Sequence, residues 1–276
     1  MNKARSPGPV IDRDTAAALM QPLTELVLRA AAAILAVNRA AMRIDGKFDG
    51  SPVTEADLAA DRIINEGLAR LIPAVPVLSE ERAALAMPPY EGSFFLIDPL
   101  DGTKEFIAGR TEFTVNLALV TNGTPILGII GAPALGLIWR GLVGRGAERL
   151  VTDGRTIRAE PIHTRPFPEA GKPWIAAVSR SHGDARTEAF IETRPGAIRQ
   201  TLGSAVKFTR VAEGAVDIYP RLAPTHEWDV GAGHAIVTAA GGRITDAQGA
   251  EVQFGKGTKD FIVPAFIAWG DPSKAG

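Results

Sequence analysis

Two aspartates three residues apart, Asp98 and Asp101, flank Pro99 at the end of the apolar run Phe94-Phe95-Leu96-Ile97. Carboxylates held that close repel, and one keeps its proton unless a cation intervenes. The Leu100 carbonyl, pinned between Pro99 and Asp101, adds a third oxygen. Such donors suit hard divalent ions such as magnesium, manganese or calcium. Three further acidic positions stand at comparable places. Ser79-Glu80-Glu81 follows the apolar Pro76-Val77-Leu78, Thr54-x-x-Asp57 opens one helix, and Trp228-Asp229 opens another. Each has a bland account. An acidic pair in a loop is usually solvated, Thr54 and Asp57 match a capping box, and an aspartate at a helix start answers the dipole. A helix start also suits phosphate. Taken together, they make four acidic sites at strand ends and helix starts, and a metal, if one is used, would be held by these carboxylates.

Other chemistries are missing from the chain. It has no cysteine, which removes disulfides, thiolate zinc sites and thiol nucleophiles. Its four histidines, His163, His182, His226 and His234, are not paired at zinc-binding spacing. No G-x-S-x-G, Walker loop or dinucleotide glycine signature occurs. With 30 Lys+Arg against 31 Asp+Glu the net charge is −1. No basic excess points to nucleic acid, while a nucleotide-sized ligand stays open.

The elements that must position these residues read as alternating α/β. The spacing predicts a long helix over 14–43 capped by Asp14, a Gly/Asp/Ser loop over 47–52, and a second helix over 55–71. Strands are expected at 76–78, 94–97 (ending at Asp98), 113–119, 126–130 and 137–143, with a turn at Asn122-Gly123. The polar stretch near 150–160 reads as a boundary between an N-terminal α+β subdomain (1–155) and a C-terminal α/β subdomain (156–276). The second half reads as strand 174–179, helix 186–193, strand 198–202, helix 204–213, strand 215–219, helix 228–240 ended by Gly241-Gly242, and a strand from Arg243. Residues 1–13 read as a loose tail without a signal-peptide core. The most apolar stretch, 26–37, contains Arg29 and is too short to span a bilayer. No transmembrane segment is expected. A cytoplasmic location is, with peripheral contact at the inner face of the cell membrane left open.

In order and spacing, the stretches Pro-Val-Thr-x-x-Asp (52–57), Ser-Glu-Glu (79–81), Asp-Pro-Leu-Asp-Gly-Thr (98–103) and Trp-Asp-x-x-x-Gly (228–233) resemble the lithium-sensitive inositol monophosphatase superfamily. The resemblance spans about 14–265. Lys104-Glu105-Phe106 after Gly102-Thr103, with Ser179-Arg180-Ser181-His182, Gly203-Ser204, Lys207-Phe208 and Tyr219-Pro220-Arg221, resembles its CysQ-type 3′(2′),5′-bisphosphate nucleotidase branch. Gly231 departs from the alanine frequent there. The resemblance implies a layered α-β-α-β-α sandwich and a magnesium-dependent phosphatase. Glu80, Asp98 and the Leu100 carbonyl would hold one magnesium, and Asp98, Asp101 and Asp229 a second, with a third, weaker one near Glu80. Manganese would substitute; lithium and calcium would inhibit. Asp57 and Thr103 would activate water. Substrate contacts would come from Glu80, Leu100, Asp101, Gly102, Thr103, Lys104, Ser179, Arg180, His182, Gly203, Ser204, Lys207, Arg221 and Asp229. The implied substrate is 3′-phosphoadenosine 5′-phosphate, with its phosphosulfate relative. The competing reading is an inositol-1-phosphate or fructose-1,6-bisphosphate phosphatase with the same metals. The resemblance leaves monomer and homodimer both open.

Overall fold

The computed structural model describes residues 8–46, 52–85, 90–152, 157–181, 183–256 and 259–275. His182 and most of the expected loop over 47–52 lie outside them. The first helix, α1 (Arg13–Ala36), is capped by Asp12, whose carboxylate accepts from the Thr15 amide at 2.8 Å. The expected cap at Asp14 and end near Arg43 are thus both corrected. Val37 turns extended, and Asn38 accepts from the Ala40 amide at 3.2 Å, a local turn that competes with the helix. Residues 8–12, expected to be loose, are pinned instead: the Pro9 carbonyl accepts from Ser93 N, and Ile11 N donates to Ser93 Oγ.

A short pair, β1 (Ile44–Gly46) and β2 (Pro52–Thr54), leads into α2 (Glu55–Leu71), whose expected ends both hold. Next come β3 (Val77–Ser79), β4 (Ser93–Asp101), the short α3 (Thr103–Ile107), β5 (Thr114–Thr121), β6 (Thr124–Ala132), β7 (Leu137–Leu142), β8 (Gly146–Thr152) and β9 (Ile157–Ile162). These strands form one seven-stranded sheet in chain order, with only β3 and β4 parallel. Asn122 and Gly123, both with positive φ, make the expected tight turn. Within the polar stretch near 150–160, the described residues belong to strands: β8 runs to Thr152 and β9 starts at Ile157. Arg140 pairs with Glu148 across β7 and β8, and Arg149 with Glu160 across β8 and β9, so opposed charges stabilise the sheet there rather than apolar alternation.

The second half adds β10 (Ile175–Ser179), α4 (Ala185–Glu192), β11 (Ile198–Leu202), α5 (Val206–Ala212), β12 (Ile218–Arg221), β13 (Thr225–His226), α6 (Glu227–Ala239), β14 (Arg243–Thr245), β15 (Ile262–Val263) and β16 (Phe266–Trp269). Five of them make a mixed sheet in the order β11-β10-β12-β16-β14, and β13 pairs with β15. The strand expected at 215–219 begins later, at Ile218, because 211–216 closes α5 through backbone bonds to Arg210 and Val211.

The two-residue period of β4 explains the layering. Phe95 and Ile97 pack toward α1 and α2, with Leu23, Leu26, Val27 and Ile64. Phe94 and Leu96 face the opposite way, into a core shared with α5, α6 and the second sheet. A third cluster, including Ile191 of α4 with Ile218 and Ile267, covers the far face of that sheet. The layers therefore run α1/α2, first sheet, α5/α6, second sheet, α4: the α-β-α-β-α sandwich expected. Of the helices described, α1 is long and apolar enough by length and composition to cross a membrane, yet it buries Leu23, Leu26, Val27, Ala30 and Ile34 within this fold.

Candidate active site

In a regular strand, residues three apart point to opposite faces. Asp98 and Asp101 do not, because β4 is bulged between them. Asp98 pairs with Asn116 and Asp101 with Thr114, so the strand carries one residue more than its partner. The expected strand end at Asp98 is therefore corrected: β4 continues through Pro99, which a bulge tolerates. The bulge brings both carboxylates to the same cavity of about 360 Å³. Gly102, with φ of 89°, turns the chain into α3 and brings Thr103 to that cavity too.

The other acids arrive by separate routes. Glu80 follows β3, and Asp229 is the third residue of α6; both line the cavity with Asp98 and Asp101. Asp229 accepts from the Thr225 hydroxyl and from the His226 amide at 3.2 Å. Asp57 closes the capping box of α2, accepting from Thr54 N at 2.8 Å and Thr54 Oγ at 2.7 Å. Its other oxygen accepts from Thr103 Oγ at 2.9 Å. Capping and contact with Thr103 thus coexist on one carboxylate.

Burial, then Glu80, Asp101 and Asp229, push the Asp98 carboxyl well above the ordinary aspartate range. Asp101 is pushed up to about 6 by burial and Asp229, against the pull of Lys207 and Arg221. Lys207, buried in the lining of the same cavity, is brought down to about 8 by that burial, with Asp101 opposing the shift. Among the described residues, no three acidic or imidazole side chains close around a single point. Glu80 and Asp98 instead share a hydrogen bond, which two carboxyls make only when one keeps a proton. Asn116, opposite Asp98, is buried with neither side-chain amide atom in a hydrogen bond of ordinary geometry, although it lies close enough to lower Asp101 slightly. Hard oxygen donors, mutual repulsion and a spare buried amide fit a divalent cation; the ion would take the place of the shared proton.

Substrate-side expectations divide. Gly102, Lys104, Ser179, Gly203, Ser204, Lys207 and Arg221 line the same cavity, as does Leu100, whose carbonyl accepts from Thr103 Oγ at 3.1 Å. Arg180 does not; it lines an adjoining cavity of about 270 Å³ that shares Ser179, Tyr219 and Arg221 with the first. Ser204 holds a φ of 42°, rare for a non-glycine, with its carbonyl accepting from Lys207. Two acids that the sequence reading gave no site role, Glu105 of the Lys104-Glu105-Phe106 stretch and Glu112, cross the cleft. Glu105 accepts from Ser181 Oγ at 2.6 Å, and Glu112 accepts from Arg180 and from Gly203 N at 3.0 Å. Asp61 is another omission. One turn beyond Asp57, it accepts from Ser79 Oγ and from Arg82 Nε at 2.7 Å, fixing the turn that presents Glu80. The i,i+4 repeat of Asp57 and Asp61 was its signal in the sequence.

The model of the inositol monophosphatase family matches residues 16–270. The 3′(2′),5′-bisphosphate nucleotidase CysQ of Escherichia coli (strain K12) is 36% identical over 251 residues, covering 90% of this chain and 98% of that protein. Its counterpart in Salmonella typhimurium is 37% identical over the same shares. The crystal structure of CysQ from Bacteroides thetaiotaomicron, a bacterial member of the inositol monophosphatase family, superposes with a TM-score of 0.72 at 32% identity, over 90% of this chain and 96% of that one. Fold, bulged acidic strand and sequence kinship agree, and the chain belongs to the inositol monophosphatase family.

Proposed function

We propose that this protein is a magnesium-dependent phosphatase that removes the 3′-phosphate of 3′-phosphoadenosine 5′-phosphate, giving AMP and phosphate, and acts likewise on the 5′-phosphosulfate. The observation that carries the proposal is the cavity itself. Four carboxylates, Glu80, Asp98, Asp101 and Asp229, line it together with Lys207 and Arg221, whose charges act on Asp101. That polarity suits a phosphate bridged to acids by cations, with its remaining oxygens on fixed positive groups. Similarity to CysQ nucleotidases over most of the chain supports the nucleotide over an inositol phosphate.

Glu80, Asp98, the Leu100 carbonyl, Asp101 and Asp229 would hold magnesium, two ions per site with a third, weaker one near Glu80. Bound there, magnesium supplies charge neutralisation and acidifies water. The chain's own groups handle the proton. Thr103 Oγ–H donates to Asp57, which leaves the hydroxyl lone pairs free to accept from water in the cavity. The water proton passes to Thr103 as the Thr103 proton passes to Asp57. The water oxygen attacks phosphorus, the bond to the ribose 3′-oxygen breaks, and that oxygen leaves with the electron pair and takes up a proton from solvent, to which Asp57 later returns its own. Manganese substitutes, lithium and calcium inhibit, and the enzyme works in the cytoplasm.

Calorimetry with magnesium, beside turnover of Asp98→Asn, tests the metal site. The wild type should bind magnesium, while Asp98→Asn should bind it poorly and lose turnover by at least ~10³-fold. Near-normal turnover of the variant at saturating magnesium would remove Asp98 from this role.

A further inference from the structure

The two adjoining cavities are linked by an acid that is not among the candidate metal ligands, Glu112. Arg180 and Gly203 follow the C-terminal ends of β10 and β11, parallel neighbours paired from Ile175↔Ile198 to Ser179↔Leu202. Strand ends of this kind are where α/β sheets meet ligands. The Arg180 amide donates to the Leu202 carbonyl, which fixes its backbone beside Gly203. From the first sheet, in the segment between α3 and β5, Glu112 reaches across and accepts with one carboxylate oxygen from both Arg180 Nη1 and Gly203 N. The approach is close enough to need glycine. A Cβ at 203 would lie 2.8 Å from the Glu112 carbonyl oxygen and 3.0 Å from its Cβ.

An acid beside an anion site needs a reason, since alone it would repel the ligand. Here its charge is matched by Arg180. One nitrogen of the guanidinium is committed to Glu112, which leaves the other donors of the fork free toward the second cavity. An unpinned surface arginine gives up rotamer freedom when it binds; one held by a carboxylate has already done so. We propose that Glu112 is a positioning residue for the substrate's second anion. It holds Arg180 at the second cavity, beside Arg221, so that a molecule with its scissile phosphate among the acids finds a preset site for its other phosphate. The inference rests on the nucleotidase reading and adds to it the residue that sets bisphosphate preference.

The test measures kcat and KM of the full-length enzyme with magnesium, on 3′-phosphoadenosine 5′-phosphate and on adenosine 3′-phosphate, which lacks the second phosphate. Glu112→Gln keeps an acceptor for the Gly203 amide but removes the charge. It should raise KM for the bisphosphate about tenfold, leave kcat within about twofold, and leave KM for adenosine 3′-phosphate unchanged. Because it acts through Arg180, the Glu112→Gln/Arg180→Gln double variant should be no worse on the bisphosphate than Arg180→Gln alone. Equal KM increases on both substrates, effects that multiply in the double variant, or an unchanged KM for the bisphosphate would each overturn the inference. A wild type with no preference for the bisphosphate removes the nucleotidase reading and this inference together. A wild-type preference that survives Glu112→Gln removes this inference alone.

Discussion

The Asp57 carboxylate does two jobs with its two oxygens, one toward the helix cap and one toward Thr103. The jobs separate by mutation. Asp57→Asn should lower stability by about 1 kcal/mol through the cap and cut kcat by at least ~10²-fold. Thr103→Val should keep the cap and stability, and lose ~10–100-fold in kcat alone. Paired kcat and urea-midpoint measurements check both, and a Thr103→Val enzyme with normal kcat contradicts the proton path. The acids also set a pH signature for the metal-free protein. Asp101 is raised in the fold from 3.8 to about 6. A raised carboxyl binds its proton more tightly folded than unfolded, so its contribution is complete below about pH 4 and lost as pH rises through about 6. In chelator, the wild type should therefore lose stability relative to Asp101→Asn, on the order of 1–3 kcal/mol between pH 4 and 7, and saturating magnesium should reverse that trend, because the ionised wild-type ligand holds the ion better than the amide. A difference that stays flat in chelator contradicts the repulsion. At this scale the sequence showed which acids stand at element ends. It did not give the roles of Asp61, Glu105 or Glu112, because the contacts that carry them, with Ser79, Ser181 and Gly203, lie 18, 76 and 91 residues away in the chain.

Among the elements, the bulge in β4 decides whether the acids can cooperate, and α6 decides where the layers meet. Its middle is Gly231-Ala232-Gly233-His234-Ala235, buried throughout between two sheets. Small residues there permit close approach, at two contacts of different stiffness. A Cβ at Gly128 would lie 2.2 Å from the Ala232 carbonyl oxygen, which is backbone and cannot yield. A Cβ at Gly231 would meet the Leu96 Cδ1 at 2.9 Å, the far end of a side chain that can turn. Gly128→Ala should cost about 2–4 kcal/mol, whereas Gly231→Ala, helped by helix propensity, should stay within about 1 kcal/mol. Urea unfolding ranks the two, and equal costs would mean that α6 shifts freely against the sheet. Helix 55–71 was legible because its cap and its closing prolines are local signals. Strands β8 and β9 were not, because their outer faces are held by charge pairs that read locally as a polar loop. The β4 bulge was hidden for a related reason: Pro99 marks a turn as readily as a bulge, and only the register with β5 separates them.

For the whole molecule, five layers place one cavity where strand ends of both sheets and the start of α6 converge. The layer order was legible through resemblance more than through periodicity. Alternating strands and helices indicate α/β, but the pairing of β12 with β16, 45 or more residues further along, is a property of the folded chain alone. The proposed function stands or falls on whether this cavity takes a nucleotide bisphosphate with magnesium. The most direct measurement is phosphate release from 3′-phosphoadenosine 5′-phosphate, inositol 1-phosphate and fructose 1,6-bisphosphate, side by side, with magnesium and with chelator. Magnesium-dependent release is expected, with kcat/KM at least ~100-fold higher for the nucleotide. A preference for either sugar phosphate would leave the metal site standing and contradict the substrate assignment.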